Sequence, residues 1–435
     1  MIPPSRAPGP REYLASLEQF GIKLGLTTIT ALCERLGRPD RAFPSLLIAG
    51  TNGKGSTAAF VDEALRAAGY RTGRYTSPHL IRLEERFHVD GRPVDAASLD
   101  GALEEVRAAA EQLRAEGTIE TYPTYFEAVT GAAFSLFARA RVDAAVLEVG
   151  LGGRYDATNV VTPLAAAITS IAYDHERYLG STLAAIAGEK AGIIKPGVPT
   201  VIGRLPPDAR SVVAETCARQ HAPLIDAWED VTAEPSGGNH EVVRLQTPSF
   251  NYGEVRLALR GRHQIDNAVV AVRLLEIVRV NGRAVPPEAI RTGLERAIWP
   301  GRLDLRRLAD GRRVLIDGAH NPDGARAFAA YVSQSYGGTA PVVFGAMRDK
   351  DLRGMMAALA PVSRPLVLTT APGVRAASVD MLLAAAREAG VEAVGEPDLT
   401  RALERAWSAA PDIAVAGSLY LAGAILEWLE RTESG

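Results

Sequence analysis

The stretch Ala49-Gly50-Thr51-Asn52-Gly53-Lys54-Gly55-Ser56-Thr57 constrains this chain more than any other. The apolar run Leu46-Leu47-Ile48 in front of it reads as a buried strand. Behind it, Ala58 to Ala68 carries helix formers with apolar residues at helical spacing. A glycine-rich turn from strand to helix aims backbone N–H groups and the positive end of the helix at one point, and Lys54 adds a fixed charge there. That point suits a polyphosphate such as ATP, with Thr51, Asn52, Gly53, Lys54, Gly55 and Ser56 as the cradle. A hydroxyl from Ser56 or Thr57 stands where such loops meet magnesium. The spacing departs from the general G-x-x-x-x-G-K-[ST] pattern, because Ile48 replaces the first glycine and Gly55 separates Lys54 from Ser56. The plain alternative is a turn that only joins a strand to a helix.

At 435 residues the chain suits two domains rather than one core. Ile298-Trp299-Pro300-Gly301-Arg302 marks the joint, since Pro-Gly does not sit inside a helix. Residues 1–298 read as an ATP-binding domain, and 299–435 as a smaller domain in which strand and helix alternation starts again. The expected class is α/β: an N-terminal P-loop ATPase-type domain with a mainly parallel sheet and a Rossmann-like C-terminal α/β domain. Thr232 to Leu259 breaks the pattern with short alternating runs that read as hairpins. The 48 basic and 51 acidic side chains nearly cancel, which gives no electrostatic case for nucleic acid or an acidic membrane as partner. Two distant cysteines, Cys33 and Cys217, make neither a disulfide framework nor a metal site, and fit a reducing compartment. Met1 to Arg11 reads as a short loose arm, and no stretch is apolar and long enough to span a bilayer. The expected location is the cytoplasm.

Polar groups recur just past apolar strands. Arg74 to Thr76 is followed by Ser77-Pro78, which holds Ser77 on a loop at a strand's carboxyl end, where ligands sit in open α/β sheets. Ala144 to Leu147 ends in Glu148, a carboxylate that is costly to bury unless a cation pairs with it, and Gly150 to Gly153 then let the chain turn tightly. Magnesium would suit Glu148 together with the Ser77 hydroxyl. A strand over Ala165 to Ile171 leads to Asp174 and His175, and a helix ends near Lys190. Pro123 to Glu127 carries the aromatic pair Tyr125 and Phe126 ahead of a buried helix over Ala128 to Ala140; such a pair serves equally as core or as ligand platform. Asp95 to Glu116 reads as an exposed amphipathic helix.

These stretches together resemble the folylpolyglutamate synthase and dihydrofolate synthase family, a branch of the amide ligases that includes the Mur ligases. Gly50 to Ser56, Glu148 to Asn159 and Leu315 to Pro322 carry the resemblance most strongly, and it runs from about Gly21 to Leu421. It implies that Ser77, Glu148 and His175 bind two magnesium ions, and that Lys190 is carbamylated, chemistry that a buried lysine with a lowered pKa allows. The competing reading of Lys190 is a salt bridge. It implies that Asn267, Arg302 and Asp317 reach the nucleotide and that Lys54, Lys190 and His320 serve catalysis. Asn267 is also placed to make a local cap. Lys23, Tyr125, Phe126, Asp156, Ala157 and Ser418 would contact the pteroate or folate acceptor and L-glutamate, although Thr28 stands where the family often has arginine and Lys23-Leu24-Gly25-Leu26 also reads as a plain helix break. The expected enzyme is a monomer acting on dihydropteroate, reduced folate or both. A Mur-type ligase with another acceptor, and an ATP-operated switch protein, are the alternatives.

Overall fold

The computed structural model describes residues 9–21, 23–236 and 239–433. The arm expected at Met1 to Arg11 falls almost wholly outside these residues, as do Ile22 and the Gly237-Gly238 step of the expected hairpin.

The first sheet has eight strands in the spatial order Arg92–Pro93, Phe87–Val89, Thr72–Tyr75, Ala144–Glu148, Ser45–Ala49, Ala165–Ile168, Thr200–Ile202 and Leu224–Asp226. The first three pair antiparallel and the rest parallel, so the sheet is mainly parallel. Helices cover both faces, and alternation along each strand feeds two cores. Leu47, Ala145, Leu147, Ala166 and Ile168 pack on one side, beneath the helices Ala96–Ala115 and Tyr125–Ala140. Leu46, Ile48, Ala144, Val146, Ala165 and Ala167 pack on the other, beneath Lys54–Ala67 and His263–Ile277. The helix Ala96–Ala115 is exposed on one side only, since Leu99, Leu103, Val106 and Leu113 are buried. Residues of Thr232–Arg256 form a separate three-stranded antiparallel sheet.

Beyond residue 300 a six-stranded sheet runs in the order Asp304–Arg307, Arg313–Ile316, Asp412–Ala416, Ala340–Phe344, Ser363–Leu368 and Val394–Gly395. It is parallel except for the first strand, an antiparallel edge that strand-and-helix alternation did not suggest. Two further cores fill its faces. The chain is therefore a mixed α/β protein with two sheet-centred halves.

Strand order decides where a ligand can go. Ser45–Ala49 lies between Ala144–Glu148 and Ala165–Ile168, and the chain leaves it toward opposite sides, so the loops at the carboxyl ends of these three strands splay apart and leave a crevice. Among the described residues no helix is long and apolar enough to cross a membrane.

Candidate active site

A cavity of about 610 Å³ opens at that crevice and is roofed by the second half of the chain. Gly50 to Ser56 form its floor. The loop is tied down from behind: Thr169 Oγ1 and Ser170 Oγ donate to the Asn52 carbonyl at 2.6 and 3.0 Å, and Thr51 N donates to Ser170 O at 2.8 Å. These hydroxyls also end the strand at Ile168, short of the expected Ile171, because their side chains turn inward to hold the loop. Gly53 has a left-handed backbone (φ 85°), and a Cβ there would sit 2.1 Å from Asn267 Oδ1, so only glycine lets the loop close on the helix His263–Ile277.

Lys54 begins the helix Lys54–Ala67. Its ammonium donates to Gly50 O at 3.1 Å and Thr51 O at 3.2 Å, and the Lys190 ammonium donates to the same Gly50 oxygen at 2.9 Å. A half-buried and a buried ammonium on one carbonyl repel each other. Burial, and then the Lys54 charge, push the Lys190 pKa down to about 7. Lys54 is lowered as well, mainly by burial, against the pull of Glu148.

Glu148 pairs in register with Ile48, and strand alternation turns its side chain to the face covered by the Lys54 helix. It is buried, and its carboxylate accepts from the Ser77 backbone N–H at 3.1 Å. Burial raises its pKa, while Lys54 and that hydrogen bond oppose the rise. A buried carboxylate with one hydrogen bond is costly to keep ionised without a cation beside it. Among the described residues no three His, Cys, Asp or Glu side chains gather where a metal ion could sit. The Ser77 loop meets Glu148 through a backbone N–H, and a carboxylate beside a serine-bearing loop would suit magnesium, which takes one or two protein oxygens and fills its octahedron with phosphate and water.

His175, in a left-handed conformation (φ 51°), starts the short helix Glu176–Leu179. Its Nε2 lies 3.5 Å from the Lys350 ammonium. Burial lowers its pKa to about 4, so the ring is neutral at physiological pH and can act as a ligand. The neighbouring Asp174 is a hub that sequence reading passed over. It accepts from Lys350 Nζ at 2.5 Å and faces His320 Nε2 at 3.5 Å and Asn321 Nδ2 at 3.4 Å, all from the second half of the chain. Burial alone would raise its pKa; His320 and Lys350 hold it well below the usual carboxylate range. Lys350 sits in the charged run Arg348-Asp349-Lys350-Asp351 past the strand Ala340–Phe344, where one charge among four does not stand out in sequence. Asn52 adds a second tie, donating to Asp323 Oδ2 and accepting from Asn321 Nδ2, both at 3.0 Å.

Other expected site residues also line the cavity, several with their polar atoms engaged. Asp156 accepts from the N–H groups of Gly150, Leu151 and Thr158 and from the Thr158 hydroxyl, which holds the glycine turn in shape. Asp317 accepts from Leu303 N and Ala319 N, both at 2.8 Å. Asn267 donates to Gln264 Oε1 at 2.9 Å, and Gln264 Nε2 in turn reaches Ser56 Oγ at 3.2 Å. Ser418 Oγ accepts from Leu421 N at 3.0 Å, capping the last helix. Arg302, Ala157 and Phe126 face the open space, and Lys23, at the far end, donates to Thr121 Oγ1 at 3.1 Å. Tyr125 is not part of the cavity wall: its ring packs on the first core with the Arg86 guanidinium 5.5 Å from its centre.

Residues 48–275 match the family described as Mur ligase middle domain, and residues 301–419 match Mur ligase, glutamate ligase domain. A dihydrofolate synthase/folylpolyglutamate synthase of Bacillus subtilis is 36% identical over 94% of this chain and 96% of its own. A Mycobacterium tuberculosis folylpolyglutamate synthase solved with ADP and AMPPCP superimposes with a TM-score of 0.87 at 36% identity, over 97% of this chain and 99% of that one. An Escherichia coli protein solved with DHPP and ADP gives 0.85 at 30% identity, over 98% and 99%.

Proposed function

Because the chain belongs to the folylpolyglutamate synthase and dihydrofolate synthase family of Mur-type ligases, we propose that its cavity joins L-glutamate to the carboxylate of dihydropteroate and of reduced folates, both in one site. It is an ATP-dependent ligase. The observation that carries the reading is the meeting, in one crevice, of a phosphate cradle, a nearly unpartnered buried carboxylate and basic groups from the second half of the chain.

We assign residues 1–298 to nucleotide and acceptor and 299–435 to glutamate and closure. The loop amides and Lys54 hold the ATP phosphates and orient the γ-phosphate toward the acceptor carboxylate. Arg302 brings positive charge to the same phosphates from across the cleft. The carboxylate oxygen attacks phosphorus and ADP leaves, giving an acyl phosphate. The α-amine of glutamate then attacks the acyl carbon, phosphate departs, and the amide remains. Magnesium bound by Ser77 and Glu148, with a second ion at His175 and a carbamylated Lys190, would supply charge neutralisation at the transferring phosphoryl group. Asn267 would face the adenine after exchanging its hydrogen bond to Gln264, and Asp317 would reach the nucleotide from the second half of the chain. His320, poised on Asp174, would stand over the reacting groups, with Ser418 placed for glutamate. Lys23, Phe126, Asp156 and Ala157 would frame the acceptor, with Tyr125 supporting them from behind. An acyl phosphate is hydrolysed in open water, so the two halves must shut before chemistry. We take the protein to act as a cytoplasmic monomer.

The test is product analysis. Dihydropteroate and tetrahydrofolate are offered separately with ATP and glutamate, and each should yield its glutamyl amide with stoichiometric ADP. ATP hydrolysis independent of both acceptors would instead indicate a switch protein.

A further inference from the structure

The phosphate loop departs from the general pattern at Gly55, and the structure supplies a reason. A Cβ on Gly55 would stand 2.3 Å from Trp299 Cζ2, 2.7 Å from Cε2 and 3.1 Å from Nε1. The indole of the interdomain linker therefore rests on the first turn of the Lys54 helix, in the space a side chain would take. It is held there. The Arg74 guanidinium lies 5.3 Å from the ring centre, and Arg74 is buried against Asp62 at 3.3 Å. Asp62 belongs to the Lys54 helix and also accepts from the Thr72 hydroxyl at 2.5 Å. Helix, strand and linker thus close a ring of contacts around Trp299.

The place of Trp299 in the linker gives the contact its significance. Three residues on, Arg302 enters the cavity, and between them Gly301 is fixed to the second half by its carbonyl, which accepts from Gly318 N at 2.8 Å. A shift of the Lys54 helix start on filling with phosphate must push on the indole, and the linker carries that push to Arg302 and Gly318. Close-packed contacts transmit displacement because they have no slack.

We propose that Trp299 is a positioning residue that couples filling of the phosphate loop to the interdomain linker and so to the placement of Arg302. The proposal rests on the ligase reading above, and its test separates the two. In the full-length protein, tryptophan emission is recorded while ADP with magnesium is titrated, for the parent and for Trp299→Phe, with binding measured independently by calorimetry. The parent should show an emission change that Trp299→Phe lacks, and tripolyphosphate alone should reproduce it, because the contact is with the phosphate loop and not with the base. Trp299→Ala should lower kcat roughly tenfold while the Kd for ADP moves less than about threefold, and Trp299→Phe, which keeps a ring on Gly55, should recover most of kcat. Equal emission changes in parent and Trp299→Phe at calorimetric saturation overturn the coupling. So does a Trp299→Ala variant whose ADP affinity and kcat fall in proportion, the mark of packing alone. A parent that binds no ADP at all defeats the ligase reading itself, and the coupling with it.

Discussion

At the scale of single residues, the site is a balance of buried charges. Lys54 lines the cavity rather than a core, and its present partners are two carbonyls of its own loop. Lys54→Ala should therefore cost at least about a thousandfold in kcat/KM while the unfolding midpoint changes little, as steady-state kinetics and denaturant titration would show. Glu148→Gln should shift the magnesium titration to higher concentration and lower turnover. Its stability should match or exceed the parent's. The sign comes from the raised carboxyl pKa: the folded chain binds more protons than the unfolded one above the ordinary Glu value of 4.5, so ionisation costs stability as pH rises, and glutamine escapes that cost. Lys190 runs the other way. Its pKa of about 7 lies below the ordinary 10.5, so the folded chain binds fewer protons across that window and stability rises with pH there; Lys190→Met should flatten the profile. Glu148 was legible in sequence because a carboxylate ending an apolar strand stands out, whereas Lys190 drew notice only through the family resemblance. Asp174 and Lys350 were not, since each lies among other polar residues and acquires its role from a partner well over a hundred positions away.

At the scale of elements, the sheet order was hidden but the strands were not. Apolar runs of four or five residues ending at glycine or a polar residue located most of the strands; which strand lies beside which depends on helix packing that no local pattern encodes. Boundaries moved where side chains overrode propensity. The helix expected from Ala128 begins at Tyr125, because Thr124 and Glu127 form a reciprocal cap: Glu127 N donates to the Thr124 hydroxyl at 3.2 Å and Thr124 N donates to the Glu127 carboxylate at 2.8 Å. That earlier start puts Phe126 in the cavity wall, against Gly150, and turns Tyr125 away. Thr124→Ala should lower stability by about 1–2 kcal/mol, the usual cost of a lost cap. It should also raise KM for the pteroate or folate acceptor more than KM for ATP, because the first turn of the helix carries Phe126 and not the phosphate loop. Equal changes in both KM values would count against that link.

At the scale of the whole molecule, the polar contacts between the two halves centre on Asp174 among the described residues. Lys350, His320 and Asn321 converge on it, while Asn52 binds Asn321 and Asp323 from the phosphate loop itself. Asp174→Ala would leave the buried Lys350 ammonium without its carboxylate, and removing one partner of a buried pair typically costs about 3–5 kcal/mol. The interface can relieve this by opening, which lets water reach Lys350. The expected outcome is thus a larger radius of gyration in solution scattering, with each half retaining its own core and its own melting transition. Turnover should fall sharply while ADP binding at the intact loop persists. The pH response fixes the sign. Because the folded Asp174 pKa is depressed, its contribution is fully present above the ordinary carboxylate value and is lost only as pH falls below it. The parent should therefore stay closed between about pH 5 and 8 and open only in stronger acid, whereas Asp174→Ala should be open throughout. A parent that opened near neutral pH, or a variant as compact as the parent, would show that closure is held by apolar contacts such as Leu80 and Ile81 against the core around Leu421 and Ile425, and not by the charges around Asp174.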